Sequence, residues 1–209
     1  MSGIRVPVQK RSQDSLDRVL AAGAELLSER GFEGFTLAEV SKRSGVAYGT
    51  MYWRVSSKDA LLLAIQEQFL EEAGKSREKL TPEHWKDASL AATIEGAIRV
   101  VASVFEYDPG LLRALTLEAG SHDELMARAS GGIQESGKDF TDLLAGRLAA
   151  AGHPDPARTS QETYTLVIGA LAARLAWPEF NAGTDLSWDR SVDALIAMAI
   201  GRMESELPG

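Results

Sequence analysis

The chain has 209 residues, of which 44% are hydrophobic and 25% charged, with no cysteine and a net charge of −8 at pH 7. A chain of this length buries a good core, and the absence of cysteine excludes disulfides, thiolate metal sites and cysteine nucleophiles. No run of about eighteen apolar residues exists to span a membrane, and the basic start MSGIRVPVQKRSQDS lacks the apolar segment of a signal peptide, so a cytoplasmic protein is expected.

Residues 1–12 read as an arm whose Arg5, Lys10 and Arg11 are available to phosphates. A helix is predicted from about Asp14 to Arg30, with Leu16, Val19, Leu20, Leu26 and Leu27 on one face and Gly31 as its terminating residue. Phe32 and Phe35 are then expected in a small core. Thr36 followed by Glu39 fits a capping box that opens a short helix with Leu37 and Val40 inward. Ser44-Gly45-Val46 turns the chain, Gly45 being free to take positive φ. A second short helix, Ala47 to Arg54, is expected to present Tyr48, Thr50, Tyr52 and Arg54 outward, with Trp53 on the packing side. Two short helices joined by a glycine turn make a helix-turn-helix, and its second helix offers polar and aromatic tips to a DNA groove.

Ser56-Ser57-Lys58-Asp59 opens the next helix near Lys58, which continues through Leu61, Leu62, Ile65, Phe69 and Leu70 as a rigid bridge. Beyond Thr81-Pro82, apolar spacings of three and four predict helices near 89–107, 110–120, 122–151, 156–180 and 188–206. Breaks are expected at Asp108-Pro109, Gly120-Ser121, Gly152-His153-Pro154 and around Asn181-Ala182-Gly183. Leu125, Ala129, Ile133, Phe140 and Leu144 keep the helical period through Gly131, Gly132 and Gly137, so one continuous helix is expected there. No strand pattern competes, and the fold class is all-α.

Charge is unevenly divided along this plan. Residues 1–58 hold nine Lys/Arg against six Asp/Glu, a net of +3, whereas the remainder holds 13 against 24, a net of −11. An acidic body behind a basic tip turns the tip toward a polyanion. Signals for catalysis are poor. Gly132 to Asp139 nearly spells a phosphate-binding loop but ends in Asp, without the hydroxyl the motif needs or a preceding strand. His84, His122 and His153 have no metal-ligand spacing, and contiguous Ser121-His122-Asp123 reads as a helix cap. No enzyme activity, cofactor or metal is expected.

The run Gly31-Phe32, Thr36, Val40, Gly45-Val46, Gly49-Thr50-Met51-Tyr52 and Lys58-Asp59-Ala60-Leu61 resembles the DNA-binding region of the TetR family of transcriptional repressors. Tyr52-Trp53-Arg54-Val55 resembles the tetracycline-repressor branch. The matching part covers the first third of the chain; the rest is similar only in being a helical domain of suitable length. The resemblance implies a three-helix DNA-binding domain over residues 1–58 and a larger helical ligand-binding and dimerisation domain over 59–209. It further implies a ligand-responsive regulator, a repressor, that binds a palindromic double-stranded DNA operator as a homodimer and is released by a small-molecule effector. The alternative is a helical small-molecule-binding module with weak or no specific DNA binding.

Carried onto this sequence, the resemblance makes Thr36, Ala47, Tyr48, Gly49, Thr50, Tyr52, Arg54 and Lys58 the DNA-binding set. Tyr48 stands at the base-reading position, Thr50 and Tyr52 suit phosphate oxygens, and Arg54 and Lys58 suit phosphate charge. Ala47 stands where the family usually carries a capping Ser or Thr, a loss of about 1 kcal/mol. Ser41 for the usual alanine is expected to matter little, and Ala38 offers no base-reading group. For an apolar or aromatic effector, the candidate lining is Phe105, Leu115, Met126, Phe140 and Trp177, with Arg99 and Glu118 as orienting groups. The candidate dimer stripes are Tyr164, Ile168, Leu171 and Leu175, and Val192, Leu195, Ile196, Ala199 and Met203. The same stripes also suit the core of a single subunit.

Overall fold

The computed structural model describes residues 10–119, 122–177 and 186–208. Expectations for Arg5, for the break at Gly120-Ser121 and for the break around Asn181-Ala182-Gly183 lie outside those residues, as do the side chains of Lys10, Arg11 and Glu118. The fold is all-α: α1 (Lys10–Gly34), α2 (Leu37–Ser44), α3 (Tyr48–Arg54), α4 (Lys58–Gly74), α5 (Leu90–Tyr107), α6 (Pro109–Ala119), α7 (Asp123–Ala150), α8 (Pro156–Ala176) and α9 (Trp188–Ser205). A 3-10 turn, Lys75–Lys79, follows α4. Helix α7 runs unbroken through its glycines, as its apolar period requires.

The described parts of Met1–Glu72 and Asp108–Ala129 form one compact unit. Helix α1 packs against α2, α3 and α6. Its regular path ends at Gly31, whose φ of 65° only a residue without a Cβ adopts readily, and one further turn carries the chain to Phe35. Leu26, Leu27, Phe35, Val40, Met51, Val55, Leu61 and Ile65 are sealed from solvent and make the core beneath the short helices. Asp108 caps α6, its carboxylate accepting from the Leu111 amide and from the Ser28 hydroxyl of α1, both at 2.9 Å. The Gln66 side-chain amide of α4 donates to the Leu125 carbonyl in the first turn of α7 at 2.9 Å.

The described parts of Ala73–Tyr107 and Ser130–Gly209 form a second compact unit. Its centre is α5, which buries Ile94, Ala97, Ile98, Val101 and Ala102 and packs against α8 and α9. Tyr164 of α8 lies over Gly137 of α7: a Cβ there would stand 2.7 Å from the Tyr164 ring, so the tyrosine packs this closely only because the position is glycine. The Tyr164 hydroxyl then donates to the Ile133 carbonyl at 2.8 Å.

Candidate nucleic-acid interface

The helix-turn-helix is assembled by local hydrogen bonds that the sequence supplies. Thr36 caps α2, its hydroxyl accepting from the Glu39 amide at 3.2 Å. Gly45 closes α2 at φ 67°, in the left-handed region. The turn is pinned from both sides: the Ser41 hydroxyl donates to the Val46 carbonyl at 2.7 Å, and the Val46 amide donates to the Ser44 hydroxyl at 3.2 Å. Ser41, expected to matter little, therefore holds the turn, because its hydroxyl reaches a carbonyl that an alanine would leave without it. Ala47 begins α3 with no side-chain cap, as expected; only its carbonyl takes part, accepting from the Met51 amide at 2.9 Å. Across the corner, Arg43 pairs with Glu29 at 2.8 Å and Glu25 at 3.6 Å, fastening α2 to α1. The hydrogen bond from Arg43 holds the Glu29 carboxyl below the usual carboxylate range.

The seven residues of α3 and Val55, which follows them, divide sharply between two faces. Met51, Arg54 and Val55 are buried, at relative positions zero, three and four. Tyr48, Gly49, Thr50, Tyr52 and Trp53 are exposed. The Tyr48 and Tyr52 rings, one turn apart, stack with centroids 6.1 Å apart and planes 18° from parallel. This corrects two expectations. Arg54, assigned to phosphate, is 9% exposed and lies on the inner face beside Met51 and Val55, whereas Trp53, assigned to packing, is 62% exposed on the outer one. The spacing explains the exchange: once Met51 and Val55 are both inside, the residue between them that follows Met51 by three is inside too.

Lys58 is also engaged otherwise than expected. Its ammonium donates to the Phe32 carbonyl at 2.9 Å and lies 3.6 Å from the Phe32 ring centroid, so it faces into the protein. The first turn of α4 is capped by Ser57, whose hydroxyl accepts from the Ala60 amide at 3.0 Å.

A bipartite corner of this kind, with one helix pinned and a second short helix showing a polar and aromatic face, suits a major groove. Residues 19–65 match the model of the bacterial regulatory proteins of the tetR family. Residues 19–65 thus carry the DNA-binding region of that family. It is 36% identical over 61 residues to the HTH-type transcriptional regulator YvdT of Bacillus subtilis (strain 168), a match covering 29% of this chain and 31% of that protein. A longer match, 27% identical over 173 residues, joins it to the HTH-type transcriptional regulator UidR of Escherichia coli (strain K12), covering 79% of this chain and 84% of the relative. In fold it is similar to a transcriptional regulator from Rhodococcus sp. Rha1, with a TM-score of 0.66, 16% identity and coverage of 91% and 96%. The relatives it matches in sequence are transcriptional regulators, and the shared part includes the helix-turn-helix.

The remaining candidate residues are distributed less simply. Phe105 and Phe140 are buried, Phe105 tilted against Trp188 at 6.2 Å and Phe140 against Tyr164 at 5.4 Å. Leu115 is buried on α6, while Met126 and Trp177 are exposed, at 47% and 51%. Arg99, expected to orient a ligand, instead sits on the surface between Glu95 at 3.0 Å and Asp193 at 2.9 Å, because its place on α5 faces the first turns of α9. These partners raise its pKa, the Glu95 hydrogen bond first. No helix is long and apolar enough to cross a membrane, and no group of His, Asp and Glu is placed to hold a metal, among the described residues.

Of the expected dimer stripes, Tyr164, Leu171, Val192, Ile196, Ala199 and Met203 are buried within the subunit's own second unit, and Ile168, Leu175 and Leu195 are half-buried. The bulky stripe of each helix closes the subunit core. The opposite faces are exposed and built from small residues with one large apolar side chain each: Gly169 and Ala170 with Leu166 on α8, and Ala194, Ala197 and Gly201 with Met198 on α9. The signal that finds them is the second, small-residue period on the same helices.

Proposed function

We propose that this TetR-family regulator is a ligand-responsive repressor that binds a palindromic operator as a homodimer and is released by a small-molecule effector. The observation that carries the reading is the outer face of α3, where Tyr48, Gly49, Thr50, Tyr52 and Trp53 are all exposed. Tyr48 and Tyr52 form a stacked pair whose hydroxyls both donate and accept, suiting base edges and phosphate oxygens. Trp53 adds an apolar plate suited to thymine methyl groups or sugars. We assign the basic charge of residues 1–58 to long-range attraction and the α3 face to contact.

Homodimerisation supplies the second recognition helix that a palindromic site needs. The exposed small-residue faces of α8 and α9 suit a four-helix contact, since Gly and Ala let helices approach closely while Leu166 and Met198 fill the spaces between them. Effector binding acts by favouring the subunit arrangement that fits DNA less well, to the extent of its differential affinity for the two arrangements.

The deciding experiment is selection of duplexes from a random pool by the wild-type protein, followed by titration with Tyr48→Ala. Loss of a base-reading side chain weakens the selected duplex by about 10- to 100-fold and relaxes preference at one position in each half-site. Recovery of no enriched sequence, or a Tyr48→Ala variant with unchanged preference, overturns the reading.

A further inference from the structure

The chain passes between its two compact units at three points: Glu72 to Ala73, Tyr107 to Asp108, and Ala129 to Ser130. At the first, α4 is two residues from its end, and at the second, α5 stops and α6 starts. Helix α7 instead continues without a break, with about two turns in the first unit and about six in the second. Its first turns are tied to α4. The Gln66 side-chain amide reaches the Leu125 carbonyl at 2.9 Å, and His122 Nε2 stands 3.6 Å from an Asp59 carboxylate oxygen. Arg128 donates to the Leu63 carbonyl at 3.3 Å and lies 3.6 Å from Glu67. Beyond the boundary other elements hold the helix. The Ile133 carbonyl accepts from the Tyr164 hydroxyl of α8 at 2.8 Å, and Arg77 of the 3-10 turn pairs with Glu135 at 2.5 Å and Asp139 at 3.0 Å. Between these tethers lie Ala129, Ser130, Gly131 and Gly132.

We infer that Ser130-Gly131-Gly132 is a joint in α7, at which its first two turns, carried with the helix-turn-helix, flex against the remainder. Each of two adjacent glycines weakens a helix relative to alanine, and serine weakens it further. Packing does not require that loss at Gly131, where a Cβ would meet nothing within 4 Å. Further along, at Gly137, the Tyr164 ring does leave no room for one. The apolar period of α7 runs through the glycine pair, so the helix keeps its course there while its backbone hydrogen bonds open more readily than those on either side. A stiff rod tethered at both ends opposes any change in arrangement between the units. A weak turn at the crossing absorbs such a change in one place. The use of the joint in regulation rests on the DNA-binding reading above; the joint itself does not.

The test is hydrogen-exchange mass spectrometry on the free wild-type protein and on Gly131→Ala and Gly146→Ala. In the wild type the amides of residues 131–135 exchange faster than those of 140–147, on the same helix. Gly131→Ala slows exchange at 131–135 by about fivefold, the helix preference for alanine expressed as a ratio, and leaves 140–147 unchanged. Gly146→Ala strengthens α7 within the second unit and leaves 131–135 unchanged, because a local opening does not sense stability gained elsewhere. Exchange at 131–135 as slow as at 140–147, or slowed equally by both variants, overturns the inference, since the segment then opens only with its whole unit. A second measurement, on the wild-type protein bound to the duplex it selects, reads the use of the joint. Exchange at 131–135 slows on binding, although the contact with DNA is made by α3; unchanged exchange there in the bound protein overturns the regulatory use. If the wild-type protein binds no duplex, the DNA reading fails by itself, and the comparison in the free protein still decides whether the joint exists.

Discussion

Replacing Gly137 by alanine sets two effects of known size against each other. In the interior of α7 alanine is favoured over glycine by about 1 kcal/mol. Against this, the new methyl stands 2.7 Å from Cε1, 3.1 Å from Cδ1 and 3.3 Å from Cζ of Tyr164. That ring is 7% exposed and held at its far end by the hydroxyl's 2.8 Å bond to Ile133, so it has no open space to swing into without breaking the bond. Overpacking of this kind costs about 1–3 kcal/mol, and the net expectation is a loss of about 1 kcal/mol, or about 2–4 °C in Tm. At Gly146, on the same helix, a methyl would meet nothing within 4 Å. There the helix preference acts alone, and Gly146→Ala raises Tm by about 2–4 °C. Thermal denaturation of the two variants beside the wild type reads the contrast directly. If Gly137→Ala raises Tm as much as Gly146→Ala, the close packing of Tyr164 on α7 is not what holds this region together.

Other changes have equally definite signs. Ala47→Ser gives α3 the side-chain cap it lacks and raises stability by about 1 kcal/mol; an unchanged melting curve would show that the first turn of α3 is already satisfied in another way. Leu166→Glu combined with Met198→Glu puts charge into the proposed dimer face, so light scattering is expected to report monomer mass, and a persistent dimer would move the interface elsewhere. Glu162 has its pKa lowered, first by the hydrogen bond from Arg158 at 2.8 Å and then by that from Arg202. A carboxylate lowered in the folded state contributes stability above its ordinary titration range and loses it as pH falls through that range. The wild type is therefore expected to lose more Tm between about pH 6 and pH 3 than Glu162→Gln does; parallel acid profiles for the two would remove this ion pair from the stability of the fold.

The helices were legible because their apolar residues recur at three and four over long stretches, and the helix-turn-helix because Thr36, Gly45 and Ser57 are local signals for caps and turns. Inside α3 the same method failed. Seven residues make less than two turns, so periodicity hardly distinguishes one face from another. The i, i+4 pair Met51 and Val55 was the better guide, since it carries Arg54 inward. On α8 and α9 two stripes coexist, and the sequence alone does not say which faces its own subunit; volume decides, the larger side chains filling the core and the smaller ones remaining outside. Lys58 shows a third limit. Its partner is a backbone carbonyl 26 residues away, and no residue type announces such an acceptor.

The division of α3 has an evolutionary consequence. Its place in the fold depends on Met51, Arg54 and Val55, while five neighbouring positions, Tyr48, Gly49, Thr50, Tyr52 and Trp53, face outward. Substitutions at exposed helix positions change stability by only about 0.5 kcal/mol either way. Mutation can therefore explore new surface chemistries on this helix almost independently of folding, and under the proposed function a duplicated copy of the gene has a short path to a different DNA site with its core intact.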